Sequence, residues 1–388
     1  FISYYLCTSN LLNQQDTMSG DFISIKIKEV RKETEDAVSI LFEHTDEHKE
    51  KLQYKPGQYI TIKWMDGAKE LRRSYSISSV PDDPYLAITV KEVEGGKISP
   101  LLCRQLKPGD SLEIMPPEGR FTAEFGQDLK RNIYLIGAGS GITPLMSIAR
   151  FVLEKEPKSS VILLYGSRNE AQIIFREEFE RMTQKYQNQF FVYHTLSKPD
   201  GAGLGIVKSL FGRKKSDWQG LRGRISPGHL KDLLKQHPLT KNKDKFFLCG
   251  PGDFILMADK ALLAAGISED RIKKEFFTAA STDPSHEGKP HLTRTKGIPA
   301  QVKVHLRGQE IDVEVSDKTI LDTMLDRGYD APYSCHSGAC ATCMAKVITG
   351  KVEMDACFAL SDKEIASGYI LACQSRPLTD SVEITFDE

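Results

Sequence analysis

Between residues 22 and 125 apolar and polar positions alternate in short runs, as in Ile23-Ser24-Ile25-Lys26-Ile27, Tyr59-Ile60-Thr61-Ile62 and Leu86-Ala87-Ile88-Thr89-Val90. A period of two places every second side chain on one face of a strand, so each run predicts a strand with one face on a core. Turn signals separate the runs at Lys55-Pro56-Gly57, Pro81-Asp82-Asp83-Pro84, Gly95-Gly96 and Lys107-Pro108-Gly109. Short alternating strands joined by tight turns predict an antiparallel β-barrel over residues 22–127.

From about residue 130 to 280 the pattern changes. Ile133 to Ile136, Val161 to Tyr165, Phe190 to Tyr193 and Phe246 to Leu248 are apolar without alternation, and Pro144–Leu153, Ala171–Tyr186 and Phe254–Ala265 between them carry a helical period. Strands apolar on both faces need helices on both sides, which predicts a doubly wound α/β domain over residues 128–280. Ala280 to Lys296 has no period and is rich in Ser, Thr, Pro, His and Gly, so residues 281–298 read as a linker. Strands at Val302–Leu306 and Ile311–Val315 and a helix at Thr319–Arg327 then open a compact α+β unit over residues 299–388. Residues 1–21 read as an N-terminal extension in which Met18-Ser19-Gly20 has the look of a start, and Gly201 to Arg224, with Arg213-Lys214-Lys215, reads as a basic surface insertion.

At 388 residues two or three cores are expected, and composition changes the picture little: 40% are apolar, 27% charged, and the net charge of −1 points to neither nucleic acid nor an anionic membrane. The charge is divided, however. From Pro299 onward 15 acidic residues face 8 basic ones, while the remainder carries 38 acidic against 44 basic. Such a division fits a charge-steered electron-transfer contact, internal or with a partner, as well as a randomly solvated surface. The most apolar stretch, Ile133 to Leu153, is broken by glycine, serine and threonine and by Pro144, so it reads as strand–turn–helix and no membrane insertion is expected. No basic segment with a cleavage site opens the chain, and the eight cysteines form no disulfide framework, so a reducing cytoplasm is the expected location.

Four of those cysteines carry the sharpest signal. Cys335, Cys340 and Cys343 follow the spacing C-x4-C-x2-C, and Cys373 lies 30 positions on, which is the plant-type [2Fe–2S] arrangement. Three thiolates on one loop reach both irons, a distant fourth closes the cage, and Gly338, Ala339, Ala341 and Thr342 are small enough to let backbone N–H groups approach the sulfurs. A zinc site would more often show two C-x2-C hooks, and a Rieske centre needs two histidine ligands, whereas here one hook and His336 stand alone. Cys357 falls outside the spacing.

On these residues the segment from Val302 to Phe386 resembles the plant-type ferredoxin domain fused to oxygenase reductases. Gly338–Cys343, Gly350–Met354 and Gly368–Gln374 resemble the phrases of the phenylacetyl-CoA epoxidase reductase family, and the resemblance implies a β-grasp fold here. In the barrel, Arg73-Ser74-Tyr75-Ser76 follows Pro56-Gly57-Gln58. An arginine can neutralise a pyrophosphate, an aromatic ring can lie on an isoalloxazine, and a serine can bond its N5 edge. Gly96-Lys97-Ile98-Ser99 opens a helix whose free N–H groups suit a second phosphate. Together they resemble the FAD site of the ferredoxin–NADP reductase superfamily.

In the α/β domain Leu135-Ile136 runs into Gly137-Ala-Gly139-Ser140-Gly141-Ile-Thr143-Pro144, a tight strand-to-helix turn for a pyrophosphate, with Pro144 pre-set for the first helical turn. The next strand ends in Gly166-Ser167-Arg168, where an NAD-type site would place an acid for the ribose hydroxyls; a serine and an arginine favour the 2′-phosphate of NADPH. Cys249-Gly250-Pro251 resembles the superfamily's nicotinamide loop, where a small thiol packs on the ring, and Glu275-Phe276-Phe277 its flavin-covering segment, which implies roles for Glu275 and Phe277 although core packing explains the phenylalanines too.

The parts dictate an order: a nicotinamide gives hydride, a [2Fe–2S] cluster accepts one electron, and flavin converts between them. Cys249, Glu275 and Ser76 are the candidate catalytic residues, and a cluster of plant type has a potential near about −400 mV, low enough for a di-iron oxygenase acceptor. The resemblance implies the oxygenase that epoxidises phenylacetyl-CoA; reductases of desaturases, hydroxylases or other oxygenases share the same internal chemistry. A cluster-bearing sensor without turnover would have no use for the hydride apparatus.

Overall fold

The computed structural model describes residues 22–43, 46–67, 69–199, 218–240, 243–278 and 299–387. The N-terminal extension, the linker over 281–298 and the basic run within the 201–224 insertion lie outside the described residues.

The first domain is made of β1 (Ile23–Thr34), β2 (Ala37–Phe42), β3 (Tyr59–Asp66), β4 (Lys69–Ser76), β5 (Ala87–Lys91), α1 (Ser99–Arg104) and β6 (Ser111–Ile114). The antiparallel order is β4-β3-β6-β1-β2-β5, and a bridge between Ile77 and Ile88 joins the two ends into a barrel. The alternation sets its inside: Ile23, Ile25, Ile27, Ile60 and Ile62 are buried together, while Ser24, Lys26 and Lys28 stay outside.

The second domain contains β7 (Asn132–Ala138), α2 (Ile142–Lys155), β8 (Ser160–Ser167), α3 (Arg176–Lys185), β9 (Phe190–Leu196), β10 (Leu221–Arg222), α4 (Pro227–Gln236), β11 (Lys245–Gly250), α5 (Gly252–Ala264) and β12 (Ile272–Phe276). Its parallel sheet has the order β10-β9-β8-β7-β11-β12. Both sheet faces are dry. Ile133, Leu135, Leu163 and Phe247 pack with α2 and α3, and their neighbours Tyr134, Ile136, Leu164 and Leu248 pack with α4 and α5. The strand order reverses between β7 and β11, and in such sheets the crevice outside the carboxyl ends at that point is where ligands bind.

Two sequence expectations are corrected here. The helix expected over Ala171–Tyr186 begins only at Arg176, after a short 3-10 turn at Glu170–Gln172 and a left-handed Phe175 at φ 62°. The left-handed backbone at Phe175 cannot be part of a right-handed α-helix, so the helix can begin only after it. The end of the expected insertion is not loop either, because Leu221–Arg222 pairs with Thr195–Leu196 as the edge strand of the sheet.

The third domain comprises β13 (Ala300–Leu306), β14 (Gln309–Val315), α6 (Ile320–Asp326), β15 (Met344–Thr349), β16 (Val352–Met354), α7 (Asp362–Ala366), β17 (Tyr369–Leu371), β18 (Ser375–Pro377) and β19 (Ser381–Thr385). The mixed sheet β14-β13-β19-β15-β17 grasps α6, whose Ile320, Leu321 and Met324 enter its core, and β16 pairs with β18. Among the described residues no helix is long and apolar enough to cross a membrane.

The domains touch at defined places. Arg150 of α2 makes a bidentate pair with Asp83 of the barrel at 2.6 and 2.7 Å, and Phe121 meets Phe247 edge-on. The third domain lies against both others: Arg72 reaches Asp330 at 2.8 Å, Arg120 pairs with Glu364, and the Phe276 and Phe358 rings are 5.6 Å apart.

Candidate functional site

The crevice between β7 and β11 is built on glycines. Gly139 has a φ of +58°, which a side chain would strain, and a Cβ on Gly141 would stand 2.1 Å from the Cys249 carbonyl oxygen. The chain thus turns from β7 through a 3-10 turn at Gly139–Gly141 into α2. Helix α2 starts at Ile142, two residues before Pro144, and the Thr143 hydroxyl donates to the Ser140 carbonyl at 3.0 Å. The Tyr165 hydroxyl fixes the turn from the other side by donating to the Gly139 carbonyl at 2.9 Å.

Cys249 lies fully buried near the end of β11, and Gly250 and Pro251 lead from it into α5. On the neighbouring strand Glu275 stands opposite Cys249. Its Oε2 accepts from the Ser76 hydroxyl at 3.1 Å and from the Cys249 thiol at 3.9 Å. One residue from the barrel and two from the α/β domain therefore converge on one carboxyl oxygen. Phe277 follows with its N–H on the Gly250 carbonyl (3.1 Å) and its ring 36% exposed beside the crevice, while Phe276 is buried against Phe358.

Burial is the main force on this cluster. It pushes the Glu275 carboxyl up to about 8, against the hydrogen bonds from Ser76 and Cys249, and it pushes the Cys249 thiol well above its usual range with help from the Glu275 charge. At neutral pH Glu275 is mostly protonated and Cys249 is a neutral thiol. The folded chain holds a proton that the unfolded chain releases at the ordinary value of 4.5, so this stability is whole below that pH and is lost as pH rises to about 8. In cofactor-free protein the loss is expected to reach about 1.4 kcal/mol per pH unit, and Glu275→Gln to remove that slope. Urea titrations at about pH 5.5 and 7.5 check this, and equal slopes in both proteins would refute it.

The expected flavin residues do not share one face. Arg73 and Tyr75 pair across the hairpin with Ile62 and Ile60, whereas Ser74 and Ser76 pair with Thr61 and Tyr59 on the other face. Arg73 is exposed with Nη1 on the Arg72 carbonyl, and Tyr75 is half-buried against the barrel core. Ser74 instead donates to Ser334 of the third domain at 2.7 Å. The Lys97 ammonium lies 3.6 Å from Asp66 at the hairpin tip, which brings Gly96-Lys97-Ile98 to the hairpin carrying Arg73. Ile98 is buried, the Ser99 hydroxyl accepts from the Val93 N–H at 3.0 Å, and Pro100 removes one of the free N–H groups of α1.

Ser167 is buried at the end of β8 and Arg168 is exposed just beyond it. The Arg168 carbonyl accepts from the Lys198 N–H at 2.6 Å, and Arg222 on β10 lies beyond β9. Three cationic side chains therefore belong to the carboxyl ends of β8, β9 and β10.

In the third domain the four thiols fall into two pairs, Cys335 with Cys340 and Cys343 with Cys373. Among the described residues no three potential ligands converge on a single point. Two pairs suit two irons taking two thiolates each, and not one mononuclear ion. The loop is shaped for this by left-handed His336, Gly338 and Ala341. The Cys340 thiol and the N–H groups of Ser337 and Ala339 pull Cys335 towards thiolate; the Cys343 thiol, the Gly338 N–H and the Gln374 amide do so for Cys373. Such donors favour bound thiolates, and these residues fit the cluster.

Sequence reasoning missed the residues that join the domains. Tyr59 bonds the Cys340 carbonyl at 3.2 Å and the Thr342 hydroxyl at 2.8 Å, and Arg72 holds Asp330. Alternation along β3 and β4 put these side chains on the outer face, but no local pattern marked their partners.

Comparison with known proteins agrees with this layout. The oxidoreductase FAD-binding domain family matches residues 24–123, the oxidoreductase NAD-binding domain family 135–260, and the 2Fe-2S iron-sulfur cluster binding domain family 302–378. A subunit of 1,2-phenylacetyl-CoA epoxidase from Escherichia coli (strain K12) is 33% identical over 94% of this chain and 98% of its own. The ferredoxin reductase component of 3-ketosteroid-9-alpha-monooxygenase from Rhodococcus rhodochrous is 33% identical over 94% of this chain and 97% of its own. Among solved structures, phthalate dioxygenase reductase has the same fold, with a TM-score of 0.53 and 22% identity over 94% of this chain and 98% of its own.

Proposed function

The chain belongs to the family of FAD- and [2Fe–2S]-binding reductase components of oxygenases, and from that membership we propose that it draws on NADPH and serves the di-iron oxygenase that epoxidises phenylacetyl-CoA. The observation that carries the reading is the meeting of the Ser76–Glu275–Cys249 cluster and the Cys340 loop on one outer face of β3–β4. When bound, the nicotinamide supplies a hydride, the flavin takes it and releases single electrons, and the iron–sulfur cluster accepts them one at a time.

The chain's own residues then have separate tasks. Arg73, Tyr75, the strand around Ser74 and Ser76, and Gly96-Lys97-Ile98-Ser99 hold the flavin. Gly139-Ser140-Gly141, Thr143 and Pro144 receive the nucleotide pyrophosphate, Gly250 and Pro251 shape the nicotinamide pocket, and Phe277 closes over the flavin. Cys249 and Glu275 keep that pocket uncharged at neutral pH, so hydride transfer takes place away from a fixed negative charge. Glu275, protonated at neutral pH, accepts from the Ser76 hydroxyl and orients it at the flavin site. Cys335, Cys340, Cys343 and Cys373 ligate the irons.

Arg168, with Lys198 on the neighbouring loop, is the cation for the 2′-phosphate, so Arg168→Ala is expected to raise the KM for NADPH by roughly tenfold and leave that for NADH within about twofold. Steady-state kinetics with both nucleotides measure this; a wild-type preference for NADH, or equal changes for both, defeats the NADPH assignment. The end-to-end likeness to the epoxidase component supports the choice of acceptor. Equal identity to the ketosteroid monooxygenase component supports a second reading, a monooxygenase of that kind. Adding the chain, NADPH and oxygen to each purified oxygenase and measuring product decides between them; no stimulation of phenylacetyl-CoA turnover removes the first choice.

A further inference from the structure

On the outer face of the β3–β4 hairpin successive paired positions make successive contacts. The register sets Tyr59 opposite Ser76, Thr61 opposite Ser74 and Lys63 opposite Arg72, so these side chains share one face. Along it Ser76 donates to Glu275, Tyr59 bonds Thr342 and Cys340, Ser74 donates to Ser334, and Arg72 donates to Asp330. The hairpin that carries the flavin-facing serine is therefore also the dock for the cluster loop.

Tyr59 is the member that reaches an iron ligand. It is 6% exposed, its backbone is bonded in both directions to Glu118 at 2.8 and 2.9 Å, and Gly119 leaves room for its ring, which a Cβ there would meet at 2.9 Å. Its hydroxyl lies 2.8 Å from the Thr342 Oγ1, which in turn lies 3.2 Å from the Cys340 Sγ. An iron-bound thiolate only accepts, so the single Thr342 proton points at the sulfur. The Thr342 oxygen is then left to accept from Tyr59, whose single proton is shared between it at 2.8 Å and the Cys340 carbonyl at 3.2 Å and favours the shorter contact, so the relay runs from Tyr59 to Thr342 to Cys340. Donors in series polarise each other and strengthen the last bond.

We propose that Tyr59 is a positioning residue for the cluster: through Thr342 it strengthens the hydrogen bond to the Cys340 sulfur and makes the cluster easier to reduce only while the third domain is docked on the barrel. The physical reason is that the reduced cluster carries one more negative charge, and hydrogen bonds to its sulfurs stabilise that charge. Docked beside the flavin site, the cluster is the better acceptor; away from Tyr59 it becomes the stronger donor, which favours onward transfer.

The inference rests on Cys340 being an iron ligand, and the test separates the two. Redox titration of the holoprotein, followed by the paramagnetic signal of the reduced cluster, is compared for wild type, Tyr59→Phe, Thr342→Val, Arg72→Ala and Tyr59→Phe with Arg72→Ala. Tyr59→Phe keeps the ring and is expected to lower the reduced-to-oxidised ratio at a fixed poise by about fivefold. Thr342→Val should fall at least as far, and Arg72→Ala, which releases the dock, should match Tyr59→Phe with no further change in the double variant. A Tyr59→Phe potential equal to wild type, or additive shifts in the double variant, overturns the inference. A wild-type protein without a cluster signal overturns the ligand assignment instead.

Discussion

Cys343→Ser is expected to remove the iron–sulfur absorbance and to lower NADPH-driven cytochrome c reduction by roughly a hundredfold or more, while ferricyanide reduction stays within about twofold. Cys343 is 2% exposed and lies in the core of the third domain together with Cys373. A serine there offers a hard, poorly ionised oxygen in place of one of four thiolates, and a cluster loses its cage when one ligand fails. The residues proposed for the flavin and the nucleotide, Arg73, Ser76, Gly139 and Cys249, lie in the other two domains and keep their packing. Ferricyanide draws electrons at the flavin and cytochrome c at the one-electron outlet, so the two assays report the two halves separately. If both activities fall together, the division of labour between the domains is wrong.

The second large effect is expected at Arg72. Its Nε lies 2.6 Å from Glu70 and its Nη2 2.8 Å from Asp330, with the side chain 6% exposed, and its guanidinium stacks on Tyr333 at 4.5 Å and on Phe22 at 5.0 Å. Asp330 belongs to the third domain, so this buried fork joins it to the barrel. Arg72→Ala removes a buried cation with its bonds to two carboxylates and its ring contacts, although Asp330 keeps Arg307 at 3.3 Å and Glu70 is one-third exposed, so the cost is put at about 3 kcal/mol, the low end for a broken buried pair. Arg72→Ala is therefore expected to weaken docking by two orders of magnitude or more. Stopped-flow mixing with NADPH should then show the flavin reduced at the wild-type rate and the cluster reduced far more slowly. Arg72→Lys, which keeps the charge and loses the fork, should lie between the two. An unchanged cluster rate in Arg72→Ala would mean that the contact does not hold the domains in their working arrangement.

These expectations draw on parts of the molecule that were unequally legible in the sequence. The cysteine spacing was plain because one loop, Cys335 to Cys343, supplies three of the four proposed ligands, and local chain geometry alone sets what they can reach. The change of period from alternating strands to continuous apolar runs was equally plain, since it follows from whether a sheet is covered on one face or on two. Long-range choices left no mark. Arg72 and Arg73 are adjacent and chemically identical, yet the pleat leaves Arg73 exposed and turns Arg72 to a carboxylate 258 residues away. Tyr59 finds Cys340 across 281 residues. Ile173-Ile174-Phe175 continued a helical pattern by composition, and nothing local marked the left-handed turn at Phe175 that delays the helix. The edge strand Leu221–Arg222 was hidden in a basic run whose two residues are exposed.

The pairing of Glu275 with Ser76 across two domains shows the same limit from the other side. The resemblance of Glu275-Phe276-Phe277 to a flavin-covering segment implied the place of the glutamate, but its protonation follows from burial that only the assembled domains create. Phe276, adjacent to it, is spent on Phe358, so the short strand that carries Glu275 also packs against the third domain.

The central claim is that one polypeptide takes a hydride and hands on single electrons. Anaerobic mixing of the purified holoprotein with one equivalent of NADPH, followed by its visible absorbance and by the paramagnetic signal of the reduced cluster, tests it most directly. The account predicts that the flavin bleaches first and that the cluster signal then rises within the same chain, at a rate independent of protein concentration. A flavin that bleaches while the cluster stays oxidised, or a cluster rate that scales with protein concentration, would contradict it.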